Sequence, residues 1–116
     1  MIKVRNNSKN WPKPPACLPN IQLKEPPNGL VISVAGLVLV RQKPKTANGV
    51  VFITLEDETG TANIIIWNHV FRKYRRVIIE SRLLRITGKL QRDGDICNII
   101  AKHIEDLSYL LDEVLN

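Results

Sequence analysis

Residues 50–67, VVFITLEDETGTANIIIW, contain two apolar runs joined by a short acidic segment that ends in glycine. Runs of β-branched residues on either side of such a turn are typical of a β-hairpin. Side chains alternate between the two faces of a strand, so Val51, Ile53 and Leu55 share one face and Phe52 points the other way. The hairpin is therefore expected to bury its aliphatic face and to leave a mixed aromatic and polar face outside.

The outer face of this hairpin has the composition of a base-binding surface. Its members are Phe52, Thr54, Asn63, Ile65 and, at the strand end, Trp67. An aromatic ring, an aliphatic platform and hydrogen-bonding groups suit unstacked bases, which offer a flat π surface and polar edges. Packing of Phe52 or Trp67 beneath the N-terminal segment or the C-terminal helix is the structural alternative.

The remaining elements follow from changes in periodicity. Residues 30–42 form a long β-branched run with Gly36 inside it, where a barrel strand is expected to bend or bulge. From Asn68, a suitable N-cap, the apolar period becomes that of one amphipathic helix. Residues 82–104 contain two more β-rich runs around an Asp-Gly hairpin turn. The order is three strands, one helix and two strands.

This order predicts an all-β protein, a five-stranded OB-fold Greek-key barrel with the helix between strands 3 and 4 and a short C-terminal helix. An open α+β sheet and an SH3-like barrel are alternatives, but the latter does not explain a three-turn helix after the third strand. Residues 1–28 hold nearly all the prolines and are predicted to be an extended leader. The barrel is assigned to residues 29–105 and a helical tail to residues 106–116.

The charge of the chain favours an anionic partner. A length of 116 residues allows one domain, and the formal net charge of +6 indicates nucleic acid before a membrane. The expected phosphate contacts are Arg41, Lys43 and Lys45 before the second strand and Arg92 in the last hairpin. A further basic cluster on the helix has two interpretations, as additional phosphate contacts or as the solvent-exposed face of the helix.

The sequence shows no signs of other chemistry. No run approaches the roughly 18 to 20 apolar residues of a membrane span, so a soluble, intracellular protein is expected. Cys17 and Cys97 are predicted to be reduced thiols. Adjacent carboxylates at residues 56–58 fit an exposed acidic turn, with Asp57 helping to fix it, better than a metal site. With no zinc spacing, nucleophile motif or phosphate loop, no catalytic residue, metal, cofactor or small-molecule substrate is expected.

Two stretches carry a family resemblance. Residues 34–78, VAGLVLVRQKPKTANGVVFITLEDETGTANIIIWNHVFRKYRRVI, with residues 88–108, GKLQRDGDICNIIAKHIEDLS, resemble the C-terminal OB domain of bacterial error-prone DNA polymerase III alpha subunits, the ImuC branch. More loosely, VAGLV followed by FITLEDETGTANIIIW resembles the OB-type anticodon-binding domain of class II aminoacyl-tRNA synthetases. There the aromatic residue matching Phe52 stacks on a base, and the polar residue matching Asn63 contacts one.

The resemblance implies binding of single-stranded DNA, as template, within a bacterial translesion polymerase of the cytoplasm. The polymerase carboxylates of that family lie in other domains, so the chain itself is not expected to be an enzyme. Residues 1–28 do not resemble the helical region that precedes this domain in the family, which suggests a truncated gene product, a remnant open reading frame or an excised piece. The alternatives are a docking or dimerisation module for other subunits of a polymerase complex, and a tRNA-type RNA-binding domain.

Overall fold

The protein forms a closed five-stranded barrel. The computed structural model describes residues 17–43 and 49–111. The strands are β1 (Val31–Gln42), β2 (Val51–Asp57), β3 (Gly60–Ile66), β4 (Leu83–Asp93) and β5 (Ile96–Asp106), and the helices α1 (Asn68–Lys73) and α2 (Arg75–Glu80) lie between β3 and β4. Around the barrel the order is β1-β2-β3-β5-β4, with β3 and β5 parallel and the other pairs antiparallel. The predicted OB-fold architecture is confirmed.

The interior of the barrel is filled by alternate residues of every strand. Side chains of β2 and β3 are buried at every second position, as the sequence pattern predicts. The largest fully buried barrel residues include Ile53, Leu55, Ile64, Ile66, Leu84, Ile86, Leu90 and Ile99. Each such side chain contributes about 1.5–3 kcal/mol relative to exposure, so this aliphatic set is the main source of stability.

Two glycines allow the sheet to close. A Cβ on Gly36 would lie 2.6 Å from the backbone oxygen of Glu56, and one on Gly88 would lie 2.2 Å from that of Ile100. At these points only a residue without a side chain lets the backbones approach. The bend expected at Gly36 is displaced along the strand, because the bulge in the pairing of β1 with β2 lies between residues 38 and 40.

The helical segment differs from the single helix predicted. Helices α1 and α2 are separated at Tyr74, where φ is −115° and ψ is 24°. Tyr74 is anchored on β5, since its hydroxyl shares a 2.8 Å hydrogen bond with Nδ1 of His103. The predicted N-cap Asn68 is wrong by one residue, because Trp67 occupies that position and its carbonyl accepts the backbone N–H of Phe71 at 2.9 Å.

Residues 17–28, which the proline pattern places in an extended leader, pack across the barrel end opposite the helices; we call this segment the strap. It contains a 3-10 turn at Asn20–Gln22, and Leu23 is buried in the barrel core. The backbone N–H of Leu18 donates to the carbonyl of Ser33 at 2.8 Å. Residues 1–16 of the predicted leader lie outside the described residues.

The described part of the predicted C-terminal tail folds back against the start of β4. The hydroxyl of Ser108 accepts hydrogen bonds from the backbone N–H groups of Arg82 and Leu83, at 3.0 and 3.3 Å. The chain is helical from residue 109 to residue 111, and Leu110 packs beside Leu83 in a small second apolar cluster. The last five residues, 112–116, lie outside the described part of the chain.

Candidate nucleic-acid interface

Four of the five predicted members of the outer hairpin surface lie side by side on adjacent strands. Phe52 is directly opposite Ile65, and Thr54 is directly opposite Asn63. Phe52 is 37% exposed and Asn63 is exposed, whereas the intervening residues of both strands are buried. We call these four residues the hairpin face. Their placement on one uncovered surface confirms the alternation inferred from the sequence.

Strand β1 adds two residues that the sequence pattern did not identify. Gln42 is paired with Phe52 and Val40 with Thr54, and both are exposed. The sequence pattern does not identify them because the bulge in β1 shifts the alternation of inward and outward side chains. Val38 packs against the core, whereas Val40 is outside, although regular alternation would put both on one side.

Trp67 continues the outward set of β3 at the end of the strand. It follows Ile65 by two residues and is 48% exposed. Burial of this ring under the strap or the C-terminal turn, the structural alternative, is not seen among residues 17–43 and 49–111. A second exposed aromatic ring thus lies at the helix end of the hairpin face.

The structure does not place Arg41 and Lys43 on the hairpin face. The Arg41 side chain donates from Nε to the carbonyl of Ile78 at 2.7 Å and from Nη2 to the carbonyl of Ser81, at the end of α2. The ammonium of Lys43 lies 4.7 Å from the centroid of the Phe71 ring. Both residues lie beyond the bulge, which turns them toward the helices. The third predicted loop cation, Lys45, lies outside the described residues.

Arg92 also makes hydrogen bonds within the protein. Its Nη2 atom donates to the carbonyls of Leu23 and Pro26, at 2.9 and 2.7 Å, and its backbone N–H donates to the side-chain oxygen of Asn28 at 2.8 Å. These bonds attach the strap to the last hairpin. The guanidinium is therefore engaged by carbonyls at the opposite end of the barrel from Arg41.

Asp57 fixes the acidic turn, as expected, but the prediction that this turn is exposed is wrong, because Asp57 is buried and Glu56 and Glu58 are only partly exposed. Oδ1 of Asp57 accepts hydrogen bonds from the backbone N–H and hydroxyl of Thr59, at 2.7 and 2.6 Å, and from the N–H of Gly60 at 3.0 Å. Oδ2 accepts the N–H of Asn20 at 2.8 Å, so the strap covers this side of the turn and leaves Asp57 only 5% exposed. Within the described residues, no three His, Cys, Asp or Glu side chains cluster as a metal site would require.

The charges lie largely away from the hairpin face. Its four members are neutral, with Glu56 as the nearest acidic residue along β2. On the outside of β4 and β5, Arg85 and Glu105 form a bidentate pair with distances of 2.8 and 2.7 Å. Hydrogen bonding to Arg85 lowers the pKa of Glu105 and, in return, raises the pKa of Arg85. A neutral surface of this kind suits bases better than phosphates.

Two further structural findings concern the helices and the cysteines. None of the helices in the part of the chain that the structure describes is long and apolar enough to cross a membrane. Cys17 and Cys97 are not joined by a disulfide. Cys97 instead directs its thiol toward the carbonyl of Leu23, at 3.5 Å, beneath the strap.

The barrel and its exposed aromatic hairpin define an OB-fold domain, and comparison with known proteins agrees. Residues 32–107 match the tRNA anti-codon family, described as an OB-fold nucleic acid binding domain. The chain therefore belongs to this family. The solved structure of asparaginyl-tRNA synthetase from Pyrococcus horikoshii complexed with asparaginyl-adenylate shares the fold, with a TM-score of 0.66, 14% identity, and coverage of 78% of this chain and 22% of that one.

The more similar relatives are error-prone DNA polymerases. Over 83 residues the chain is 52% identical to error-prone DNA polymerase 1 of Rhizobium meliloti (strain 1021), covering 72% of this chain and 7% of that protein. Over 77 residues it is 53% identical to error-prone DNA polymerase of Ruegeria pomeroyi, covering 66% and 7%. The chain thus spans a small part of the length of these relatives, and the similarity is that of one domain.

Proposed function

We propose that this domain binds single-stranded DNA through the hairpin face. The observation that carries the proposal is the position of Phe52, a 37% exposed ring with Ile65 on one side and Gln42 on the other. A base stacked on Phe52 would rest on the apolar surface of Phe52 and Ile65, while Thr54 and Asn63 one row away would face the edge of the next base. Trp67 supplies a further ring at the helix end.

The phosphate contacts are proposed from exposed cations. The net charge of +6 supports an anionic strand, and Lys43, which is exposed directly after β1, is the proposed phosphate contact among the described residues. Lys45 is proposed as a second contact from its position in the sequence alone. Arg41 and Arg92 are assigned structural roles, because their guanidinium groups already donate to backbone carbonyls.

The biological setting is proposed from the relatives. Identity of about half to error-prone DNA polymerases supports a role in holding template DNA for a bacterial, cytoplasmic translesion polymerase. The aligned region is 7% of the polymerase of Rhizobium meliloti, which supports a binding role without catalytic residues. No activity of the whole polymerase is assigned to this chain.

The direct test is fluorescence anisotropy with a labelled short dT oligomer at several salt concentrations. Phe52→Ala is expected to weaken binding roughly 5- to 150-fold, the equivalent of about 1–3 kcal/mol for one base–aromatic stack. The slope of log affinity against log salt should not change, because no cation is removed. Tyr109→Ala is the matched control: this ring is 60% exposed but lies in the C-terminal turn, so its loss should leave affinity unchanged.

Two results would contradict the proposal. One is the absence of binding by the unmodified domain even at low salt. The other is equal affinity of the Phe52→Ala variant and the unmodified domain. Matched RNA oligomers in the same assay test the tRNA-type alternative, which predicts tighter binding to RNA than to DNA.

A docking role is the second candidate, supported by two apolar residues at the edge of the hairpin face. Leu39 and Val40 are 50% and 43% exposed and extend the apolar surface beside Thr54. If this surface binds another protein or a second copy, analytical ultracentrifugation should show association that Phe52→Ala and Val40→Ser both weaken. A monomer at all concentrations that binds DNA would favour the first function.

A further inference from the structure

A cleft of about 450 Å³ continues the hairpin face toward the strap. It is bordered by Ile21 and Lys24 of the strap, by Thr61 and Asn63 of β3, and by Asp95 in the turn between β4 and β5. Asn63 belongs both to this cleft and to the hairpin face, so the two surfaces are continuous. We call this space the strap cleft. Its volume is within the roughly 300–1,000 Å³ of small-ligand sites.

The wall of the strap cleft contains an acceptor without a donor. Asn20 is 5% exposed, and its Nδ2 group donates to the carbonyl of Gly60 at 3.1 Å and faces that of Leu55 at 3.5 Å. These carbonyls fix the orientation of the amide, which leaves Oδ1 buried with no hydrogen-bond partner in the described structure. Such an unsatisfied buried acceptor is unfavourable, and an N–H donor that reaches Oδ1 from the cleft would satisfy it.

The exposed polar groups of the cleft also favour a donor. Asp95 is exposed and supplies a carboxylate, while Thr61 and Asn63 each add an oxygen that can accept. Lys24, also exposed, is the cation at the border. These acceptors and the lysine at the border complement a ligand that directs amino hydrogens into the cleft and a negative group outward.

We infer that the strap cleft holds one nucleobase with an exocyclic amino group, from the same strand that stacks on the hairpin face. Asp95 accepts from the amino group, as carboxylates accept from the amino group of cytosine, and Lys24 contacts the adjacent phosphate. Thymine is disfavoured there because its O4 atom would face the Asp95 carboxylate, acceptor against acceptor. This specificity rests on the proposed function and adds a base preference to it.

The strap is thereby a part of the binding site. The family match begins at residue 32, so strap residues 17–28 lie outside the region that defines the OB family. The strap is held in place by Arg92 and Asp57, and these contacts set the width of the cleft. Arg92 would thus support binding by positioning the strap.

The test compares a dT oligomer with dT oligomers in which one cytosine occupies each position in turn. At one position the cytosine should tighten binding roughly 5-fold or more, the equivalent of about 1 kcal/mol. Asp95→Asn should abolish this difference. Asp93→Asn is the matched control, because Asp93 is an exposed carboxylate at the end of β4, next to the same turn, that does not border the cleft, and it should preserve the difference.

A second pair of variants examines the phosphate contact. Lys24→Gln should lower the slope of log affinity against log salt by about one, and Lys89→Gln, at an exposed lysine of β4 that does not border the cleft, should not. The inference would be overturned by equal affinity for the oligomers whatever the position of the cytosine, or by a cytosine preference that persists in Asp95→Asn. Either result would leave binding at the hairpin face intact. Failure of the unmodified domain to bind any oligomer would instead refute the proposed function.

Discussion

Replacing Asp57 with alanine should destabilise the domain more than any change at a neighbouring acidic position. Its carboxylate accepts three hydrogen bonds within the turn and a fourth, at 2.8 Å, from the backbone N–H of Asn20. At about 1 kcal/mol for each turn bond, plus about 1–3 kcal/mol for a buried N–H left without an acceptor, the free energy of unfolding should fall by about 4–6 kcal/mol. A domain of this size has about 5–15 kcal/mol in total.

The assay is urea unfolding followed by tryptophan fluorescence, with the midpoint and slope fitted separately. Asp57→Asn should lower the free energy of unfolding less than Asp57→Ala does. The amide oxygen of asparagine can keep the hydrogen bonds of the turn, and only the bond from the Asn20 N–H is lost, because the amide NH2 group faces it. Glu56→Gln is the control: this residue is partly exposed on the other face of β2 and should change stability by about 0.5 kcal/mol or less. A loss below about 1 kcal/mol in Asp57→Ala, or an equal loss in Glu56→Gln, would refute the reasoning.

Three further changes test the packing and the electrostatics. Gly88→Ala should lower the free energy of unfolding by about 3 kcal/mol or more, measured in urea, because its Cβ would lie 2.2 Å from a backbone oxygen. Gly94→Ala, with open space around it, should lower the same free energy by about 1 kcal/mol. Equal losses in the two variants would contradict this. Arg92→Ala should speed hydrogen exchange of strap amides and leave exchange in the barrel core unchanged; unaltered strap protection would show that the arginine does not hold it. Glu105→Gln should cost about 0.5 kcal/mol, because the pair with Arg85 is partly exposed. Since the pKa of Glu105 is lowered from its ordinary 4.5, this contribution is present above that pH and disappears as the pH falls through the lowered value; a loss that persists in strong acid would contradict it.

The order of elements and the hairpin surface were accessible from the sequence because they depend on local periodicity. A short turn fixes the register of β2 and β3, so counting alternate residues places Phe52 and Asn63 outside. The direction of Arg41 was not accessible, since one extra residue at the β1 bulge inverts the alternation after Val38. A bulge leaves no clear mark in a uniformly aliphatic run.

Contacts distant in sequence account for the other differences. Arg92 was predicted to contact phosphate because it lies in a loop, but its carbonyl partners, Leu23 and Pro26, are 69 and 66 residues away. A proline-rich segment gives no periodic signal, so its packing against the barrel end could not be inferred. The break between α1 and α2 at Tyr74 likewise coincides with a contact to β5 that only the tertiary structure shows.

The most direct test of binding at the hairpin face is an NMR titration with a short single-stranded dT oligomer. The largest amide shifts are predicted at Phe52, Thr54, Asn63 and Ile65, with smaller shifts at Gln42 on the neighbouring strand. Shifts confined to α1 and α2, or no shifts at low salt, would contradict the account.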